Sequence, residues 1–514
     1  MLLSELARCV GGARIVCGAK NMQTSENTQI RGLTADSRFC STGDLFFCLT
    51  GGKTDSHVYA RDAEEAGAAA VVTERELELK IPQLVVPDSR AAMGLIASAF
   101  YDHAAEKLKI IGITGTNGKT TTSYMLASVL RRAGKTVAVV GTLGIYYGKK
   151  QIAPELTTPD PLFLHKMFAD MVKSGVEYVV AEVSAHALFY RKEEGIPFAA
   201  CIFTNFTQDH LDFFQTMEKY KAAKKLLFTP ERCPIAVLNG DDAVGREIGG
   251  LRGESDKAGK TSTVFYGLET PAEAFAVITS EELYGCEFML NLSDNLCRIS
   301  LPMTGRHNVY NAMAAAACAY ALGIRTEAIA GGLSGMKPVR GRLEPAGKFH
   351  GADIFVDFAH TPDGLEKSLA ALKSHCKGRL ICLFGCGGNR SKLRRSKMGE
   401  TAGHLADLTI LTSDNPRWED PEEILDDIED GIRGTGGQYV RIADRREAVR
   451  YAMAQAMEND MLVLAGKGHE AYQEIRGVRY PLSEYELVEE ARRSPDMGEN
   501  TDRNEVDRWR NMRR

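Results

Sequence analysis

The run GITGTNGKTTT, Gly112 to Thr122, lies between an apolar β-like stretch, KLKIIGIT, and a helix-forming stretch closed by Gly134. Small residues in such a loop let backbone N–H groups surround phosphates at a helix N-terminus, where the aligned peptide dipoles favour an anion. Lys119 would neutralise phosphate charge and the Thr120 hydroxyl could reach Mg²⁺. Strand, loop, lysine, threonine and helix follow in order, so Gly115, Thr116, Asn117, Gly118, Lys119, Thr120 and Thr121 are expected to cradle a nucleotide. The spacing is unusual for a P-loop, because Ile113 stands where the first glycine would be.

Further candidates follow other apolar runs. Glu182, Ser184 and His186 come after VEYVVAE, and Asp209, His210 and Asp212 come after ACIFTN. One carboxylate per loop suits Mg²⁺, which takes a few protein oxygens plus phosphates. Each residue alone could equally cap a helix or satisfy the core. In EKYKAAKKLLF, at about 100° per residue, Lys224 falls on the stripe of Tyr220, Ala223 and Leu227, while Lys221 and Lys225 point elsewhere. A lysine on an apolar stripe either snorkels to water or is held inside for a purpose. Late in the chain, DNPR (Asp414, Asn415, Pro416, Arg417) and GKGHE (Gly466 to Glu470) each follow an apolar run. Read alone, DNPR is a turn. A site for a diamino dicarboxylic acid, however, needs a clamp for its distal carboxylate, which Arg390 and Arg417 could form, and acceptors for its distal ammonium, which Asp414 and Glu470 could supply.

These loops need sheets to hold them. Apolar β-rich runs alternating with helical segments predict a parallel sheet covered on both faces from about 109 to 336. After MKPVRGR (336 to 342), read as a linker, the alternation restarts with ADIFVDFAH, RLICLFGCGG, DLTILTSDNPR and MLVLAGKGHE. In open α/β sheets ligands sit beyond the carboxyl ends of the strands, where these loops fall. Residues 1–108 mix short β-like runs with a helix near Ser89 to His103. The expected architecture is therefore α/β with three domains: a small mixed N-terminal domain (1–108), a central P-loop parallel-sheet domain (109–336) and a C-terminal Rossmann-like domain (337–490), followed by a charged tail (491–514). A chain of 514 residues with 44% hydrophobic and 25% charged content fits several soluble domains. The start, MLLSELARCV, carries Glu5 and reads as a helix, not a signal peptide, and no apolar run could span a bilayer, so no membrane role and a cytoplasmic location are expected. A net charge of -5 without a basic stripe argues against nucleic acid. The twelve scattered cysteines, with no CxxC pair, are expected to be buried thiols.

GxxGTNGKTT resembles the loop of the Mur ligases and their folylpolyglutamate synthetase relatives, and the likeness extends along nearly the whole chain. AEVSAHAL and TNFTQDHLD are similar to motifs that supply metal and substrate contacts in that family, implying Glu182 and His210 as Mg²⁺ ligands beside Thr120. The family lysine matching Lys224 is carbamylated (N6-carboxylysine) and helps hold a second Mg²⁺. RHNVYNAMAA implies adenine-side contacts for Asn308, and VDFAHTPDG implies nucleotide contacts for Asp357 and His360; Asp357 could otherwise cap the next helix. TADSR and GDLFFCLTGGKTDSH resemble segments holding a UDP group, implying Ser37, Gly52, Lys53 and Thr54. LTTPD and the motif after it imply Thr157, Thr158, Ser184, Tyr190 and Lys192 at the muropeptide. DNPR resembles the signature of family members that add meso-diaminopimelate.

The resemblance implies an ATP-dependent ligase using ATP, Mg²⁺, UDP-N-acetylmuramoyl-L-alanyl-D-glutamate and meso-diaminopimelate, acting as a monomer. Lys119, Lys224, His210 and Glu182 would carry the chemistry; Arg390, Asp414, Asn415, Pro416, Arg417, Gly466 and Glu470 would hold the acceptor. Ala185, Tyr190, Lys192, Asn389 and Leu393 depart from the family pattern. Two rival readings are the same chemistry with lysine or another acceptor, and a P-loop switch ATPase.

Overall fold

Three large sheets and a two-stranded one, Tyr472–Ile475 with Val478–Pro481, carry the chain in the computed structural model, which describes residues 1–18, 22–51, 55–153 and 155–493. Gly52, Lys53 and Thr54, expected at the UDP group, lie outside the described residues, as does the chain after Arg493. The first sheet has five strands, in the order Arg14–Val16, Gln83–Val85, Ala70–Thr73, Asp44–Phe47, Gly32–Thr34. Period-two alternation divides Asp44–Phe47 between its faces: Leu45 and Phe47 join one core cluster and Phe46 the other.

The central sheet has eleven strands. Its middle runs parallel, with Lys109–Thr114 between Phe198–Phe203 and Tyr178–Glu182, and Val137–Gly141 beyond the latter. These strands are buried almost end to end because separate clusters cover both faces. The expectation of a parallel sheet is corrected at both edges. Gly144–Tyr147 and Lys150–Ile152 form an antiparallel hairpin, and Ala274–Glu282, Gly285–Leu292 and Asn295–Leu301 form an antiparallel meander. The reason is visible in Gly285–Leu292, where Cys286, Phe288, Leu290 and Leu292 are buried while alternate residues are half exposed, the pattern of a strand covered on one face.

In the third sheet, Ala352–Asp357, Met461–Ala465, Leu380–Phe384, Leu408–Leu411 and Tyr439–Arg441 run parallel and adjacent in that order, with Glu344–Phe349 antiparallel at the edge. Core clusters cover both faces here too. The final helix, Glu484–Arg493, buries Leu487, Val488 and Ala491, so packed structure reaches past residue 490, where the tail was expected to begin. All twelve cysteines are free thiols. Among the described residues no helix is long and apolar enough to cross a membrane.

Candidate active site

The strand Lys109–Thr114 delivers the glycine loop to the N-terminus of the helix Lys119–Arg132. Gly115 and Gly118 have φ of +148° and +85°, and a Cβ on either would stand 1.9 Å from Thr204 Oγ1 or 2.3 Å from Asn311 Oδ1, so only glycine fits. Asn205 fixes the loop's shape: its carbonyl accepts from Thr116 N at 2.9 Å and its Oδ1 from Asn117 N at 2.9 Å. Lys119 Nζ folds back onto the carbonyls of Gly115 (2.9 Å) and Thr116 (2.8 Å).

Glu182, at the end of its strand and 1% exposed, is fully engaged. Its Oε2 accepts from Thr120 Oγ1 (3.1 Å) and Thr142 Oγ1 (3.0 Å), and its Oε1 from Thr142 N (2.9 Å). Lys224 lies 1% exposed on the helix Met217–Lys225, while Lys221 and Lys225 pair with Glu247 at the surface, as the helical spacing predicts. Lys224 Nζ donates to the Gly115 carbonyl at 2.7 Å and stands 4.5 Å from the centre of the Tyr220 ring. Burial, and then the neighbouring Lys119 ammonium, push the Lys224 amine well below the usual lysine range. His210, with φ of +54°, turns the chain so that its ring meets His186 (4.8 Å between centroids), Tyr220 and the Asp209 carboxylate (3.3 Å). Burial drives the His210 imidazole down to about 3, so it is neutral. Thr120, Glu182, His210 and Lys224 are thus arrayed around the loop. Among the described residues no three His, Cys, Asp or Glu side chains gather as a ready-made metal cage. The donors present, one carboxylate with a hydroxyl 3.1 Å away at the phosphate end of a P-loop, fit the Mg²⁺ mode in which phosphates and water complete the shell.

A cavity of about 710 Å³ opens beside the loop, lined by Gly118, Thr121, Asn308, Asp357 and His360 among others. Asn308 is buried, donates to the Thr304 carbonyl (2.8 Å) and accepts from Asn311 Nδ2 (3.2 Å). Asp357 does not cap the following helix, whose cap is Thr361; its oxygens accept from Leu343 N (3.0 Å) and the Ser368 hydroxyl.

At the carboxyl edge of the third sheet the DNPR and GKGHE loops meet. Arg417, with φ of +53°, donates Nη1 to the Gly388 carbonyl at 2.8 Å. Arg390 lies 3.9 Å from Asp212, two residues from His210 in the central domain's loop. Both arginines flank Gly387, where a Cβ would stand 2.9 Å from Arg417 Nη1 and 3.8 Å from Arg390 Cγ. Asp414 and Glu470, expected as acceptors, share a cation within the protein. A fully buried lysine, Lys467, donates to Glu470 Oε2 (2.9 Å) and Asn415 Oδ1 (3.0 Å) and stands 3.9 Å from Asp414. Asn415 Nδ2 adds a bond to Glu470 Oε2 (2.9 Å), Pro416 packs its carbonyl against Gly388, and Gly466 N donates to the Asp357 carbonyl (3.0 Å).

Beside Glu182, Thr158 Oγ1 donates to the Glu182 carbonyl (2.9 Å) and accepts from Ser184 N (3.0 Å), and Thr157 meets Thr142 (3.2 Å). Tyr190 lies under the Arg90 guanidinium at 4.5 Å, and Lys192 pairs with Asp160 at 2.6 Å. Ser37 opens a short 3-10 turn capped by Asp36 in the first domain, away from this group in the chain.

Four residues at the site escaped sequence reasoning. Arg342, in the segment read as a linker, donates to Thr120 Oγ1 at 2.9 Å and stacks on Phe358 at 4.7 Å. Asp363 accepts from Asn117 Nδ2 at 2.6 Å, and Arg394 reaches Asp209 at 3.2 Å. Lys467 lay inside the quoted GKGHE without a role. The one signal for Arg342 was a charged residue between the glycine and the strand that follows, too little without coordinates.

Domain models of one family match three stretches: the Mur ligase family catalytic domain over residues 29–101, the Mur ligase middle domain over 113–319 and the Mur ligase glutamate ligase domain over 341–468. The chain belongs to the Mur ligase family, ATP-dependent enzymes that form amide bonds in the synthesis of peptidoglycan precursors, and it is such a ligase. It is 41% identical over 456 residues, 87% of this chain and 92% of the relative, to the UDP-N-acetylmuramoyl-L-alanyl-D-glutamate--2,6-diaminopimelate ligase of Geobacillus thermodenitrificans. With the ligase of the same name from Caldanaerobacter subterraneus it shares 43% over 466 residues, 90% and 95% of the two chains. A solved diaminopimelate ligase of that name superposes with a TM-score of 0.67 at 33% identity, over 92% of this chain and 96% of that one. The fold is shared with the MurF ligase of Thermotoga maritima in complex with ADP, TM-score 0.60 at 20% identity, over 90% and 96%.

Proposed function

We propose that the chain joins meso-diaminopimelate to the D-glutamate of UDP-N-acetylmuramoyl-L-alanyl-D-glutamate. ATP lies on Gly115 to Thr121 with its adenine toward Asn308. A γ-carboxylate oxygen of D-glutamate attacks the γ-phosphorus and ADP leaves; the amine of diaminopimelate then attacks the acyl carbon, phosphate leaves, and the amine sheds a proton. Lys119 and Arg342 offset the charge that otherwise keeps carboxylate and phosphate apart. Mg²⁺, held by Thr120, Glu182, His210 and a carbamate on Lys224, would supply further neutralisation of the phosphates. The depressed basicity of Lys224 supports the carbamate, because only the neutral amine has the lone pair that attacks CO₂.

Thr157, Thr158, Ser184, Tyr190 and Lys192 would face the muropeptide, with Ser37 and residues 52–54 toward its UDP end. The boundaries proposed for the three domains are 1–108, 109–336 and 337–490. One observation carries the acceptor: Arg390 and Arg417 flank Gly387 at the sheet edge, and Arg390 lies 3.9 Å from Asp212, two residues from His210, which supports reading the two guanidiniums as a clamp. A distal carboxylate suits that clamp. Lysine lacks it and would leave the two guanidiniums without that partner. Asp414 and Glu470 act with Lys467 as one unit, so the distal ammonium meets a carboxylate already held in place. Phosphate release from ATP and muropeptide, measured with no amino acid, with diaminopimelate and with lysine, tests the reading. Release with diaminopimelate alone is expected; equal release with lysine would contradict the clamp, and release without any acceptor would favour a switch ATPase.

A further inference from the structure

Behind the acceptor loops lies a buried ion pair that the chemistry above does not use. Arg445 is the first residue of the helix Arg445–Gln455, Glu484 the first of the helix Glu484–Arg493, and both side chains are 0% exposed. Glu484 Oε1 accepts from Arg445 Nε (3.0 Å) and Nη2 (2.6 Å). The guanidinium spends its remaining donors on two carbonyls: Nη1 on Ser413 (3.1 Å) and Nη2 on Ala465 (2.7 Å). Ser413 is the residue before DNPR and Ala465 the residue before GKGHE. Their strands are not neighbours, since Leu380–Phe384 runs between them, yet both carbonyls lie within reach of one guanidinium. A single rigid fork therefore spans the gap between the two acceptor loops at their roots.

A buried ion pair is a weak route to stability, since apolar residues of similar size often do as well, and here Glu484 Oε2 has no hydrogen-bond partner at all. What an apolar pair could not do is hold two carbonyls at a fixed separation. Resting on the acceptor reading above, we propose that Arg445, aimed by Glu484, is a positioning residue for the amino-acid substrate: it sets the spacing of the DNPR and GKGHE loops, and through them the distance from the Arg417 guanidinium to the Glu470 carboxylate. Lys467, which ties Asn415 to Glu470 nearer the surface, completes the frame but cannot replace the fork, because its single ammonium bonds side chains and leaves the strand ends untied.

The test uses the full chain with Arg445→Lys, which keeps the charge and loses the fork, and the double variant Arg445→Met/Glu484→Met, which replaces the pair with apolar volume. Steady-state KM is measured for the acceptor, ATP and muropeptide, alongside the thermal midpoint. Both variants are expected to raise the KM for diaminopimelate about tenfold, the loss of hydrogen bonds to a charged donor, to leave the KM for ATP within about twofold, and to narrow the preference for diaminopimelate over lysine. A variant with a native thermal midpoint and an unchanged acceptor KM overturns the proposal. So does a uniform loss of activity that follows the folded fraction, or failure of both variants to fold, since either marks a purely structural pair. The wild type run in parallel separates the two readings: if it uses a different amino acid, the acceptor assignment fails, and the positioning claim stands or falls on the same KM shift for the amino acid it does use.

Discussion

Two lysines donate to the Gly115 carbonyl, Lys119 at 2.9 Å and Lys224 at 2.7 Å, and their mutual repulsion bears on both. Lys119 stands to move onto phosphate oxygens when nucleotide binds, so Lys119→Ala should lower kcat by a factor of about 10² to 10³, the scale of a lost charge-stabilising group, in single-turnover ligation. Lys224→Ala should lower activity comparably, and short carboxylic acids or bicarbonate should restore part of it if a carboxylate is what the position supplies; no rescue would leave the amine itself as the working group. Lys224 was legible in the sequence because helical spacing put one lysine of four on an apolar stripe. Lys467 was not, since a strand-end loop has no periodicity to set its lysine apart from solvated ones. Asp414 and Glu470 could be picked out as residues, but their tie to Lys467 could not, because a buried cation between two loops distant in sequence leaves no local mark.

Parallel strands, which both faces bury, announced themselves as unbroken apolar runs, so the elements that hold the P-loop, Glu182, His210 and DNPR could be placed from sequence. The antiparallel meander Ala274–Leu301 could not, because its half-buried strands alternate buried apolar residues with outward ones of mixed type and so lack an unbroken apolar run. The segment before the third sheet was opaque for a related reason: Arg342 is half-buried against its partners Thr120 and Phe358, not by any pattern of its own. Arg342→Ala should weaken nucleotide binding and lower kcat together, which isothermal titration with ADP and steady-state kinetics would register. A pH dependence belongs to the helix Pro161–Lys173. Its His165 is 0% exposed, and burial lowers the imidazole to about 4. A histidine whose folded value lies below its unfolded value binds fewer protons when folded, so its contribution to stability is intact above about pH 6.5 and drains away as pH falls toward 4. Thermal midpoints of His165→Leu between pH 7 and 5 should fall less steeply than those of the wild type; parallel curves would remove His165 as the cause.

Across the molecule, the central and third sheets meet through a short set of polar bridges: Arg394 to Asp209 (3.2 Å), Lys397 to Gln208 (2.9 Å), Asp363 to Asn117 (2.6 Å) and Arg342 to Thr120 (2.9 Å). Each joins an acceptor-side element to a nucleotide-side loop. This is what a reaction in two steps needs, because the acyl phosphate made on one sheet must be met by an amine held on the other before water reaches it. Arg394→Ala should therefore raise the share of ATP hydrolysed without ligation, read as phosphate released in excess of amide formed.

The mechanism requires that a carboxylate be activated by phosphoryl transfer before the amine arrives. It is tested most directly by ligation with muropeptide carrying ¹⁸O in the D-glutamate γ-carboxylate, followed by mass analysis of the phosphate. Attack of that carboxylate on the γ-phosphorus leaves one labelled oxygen in each phosphate released; phosphate free of label alongside amide product would contradict it.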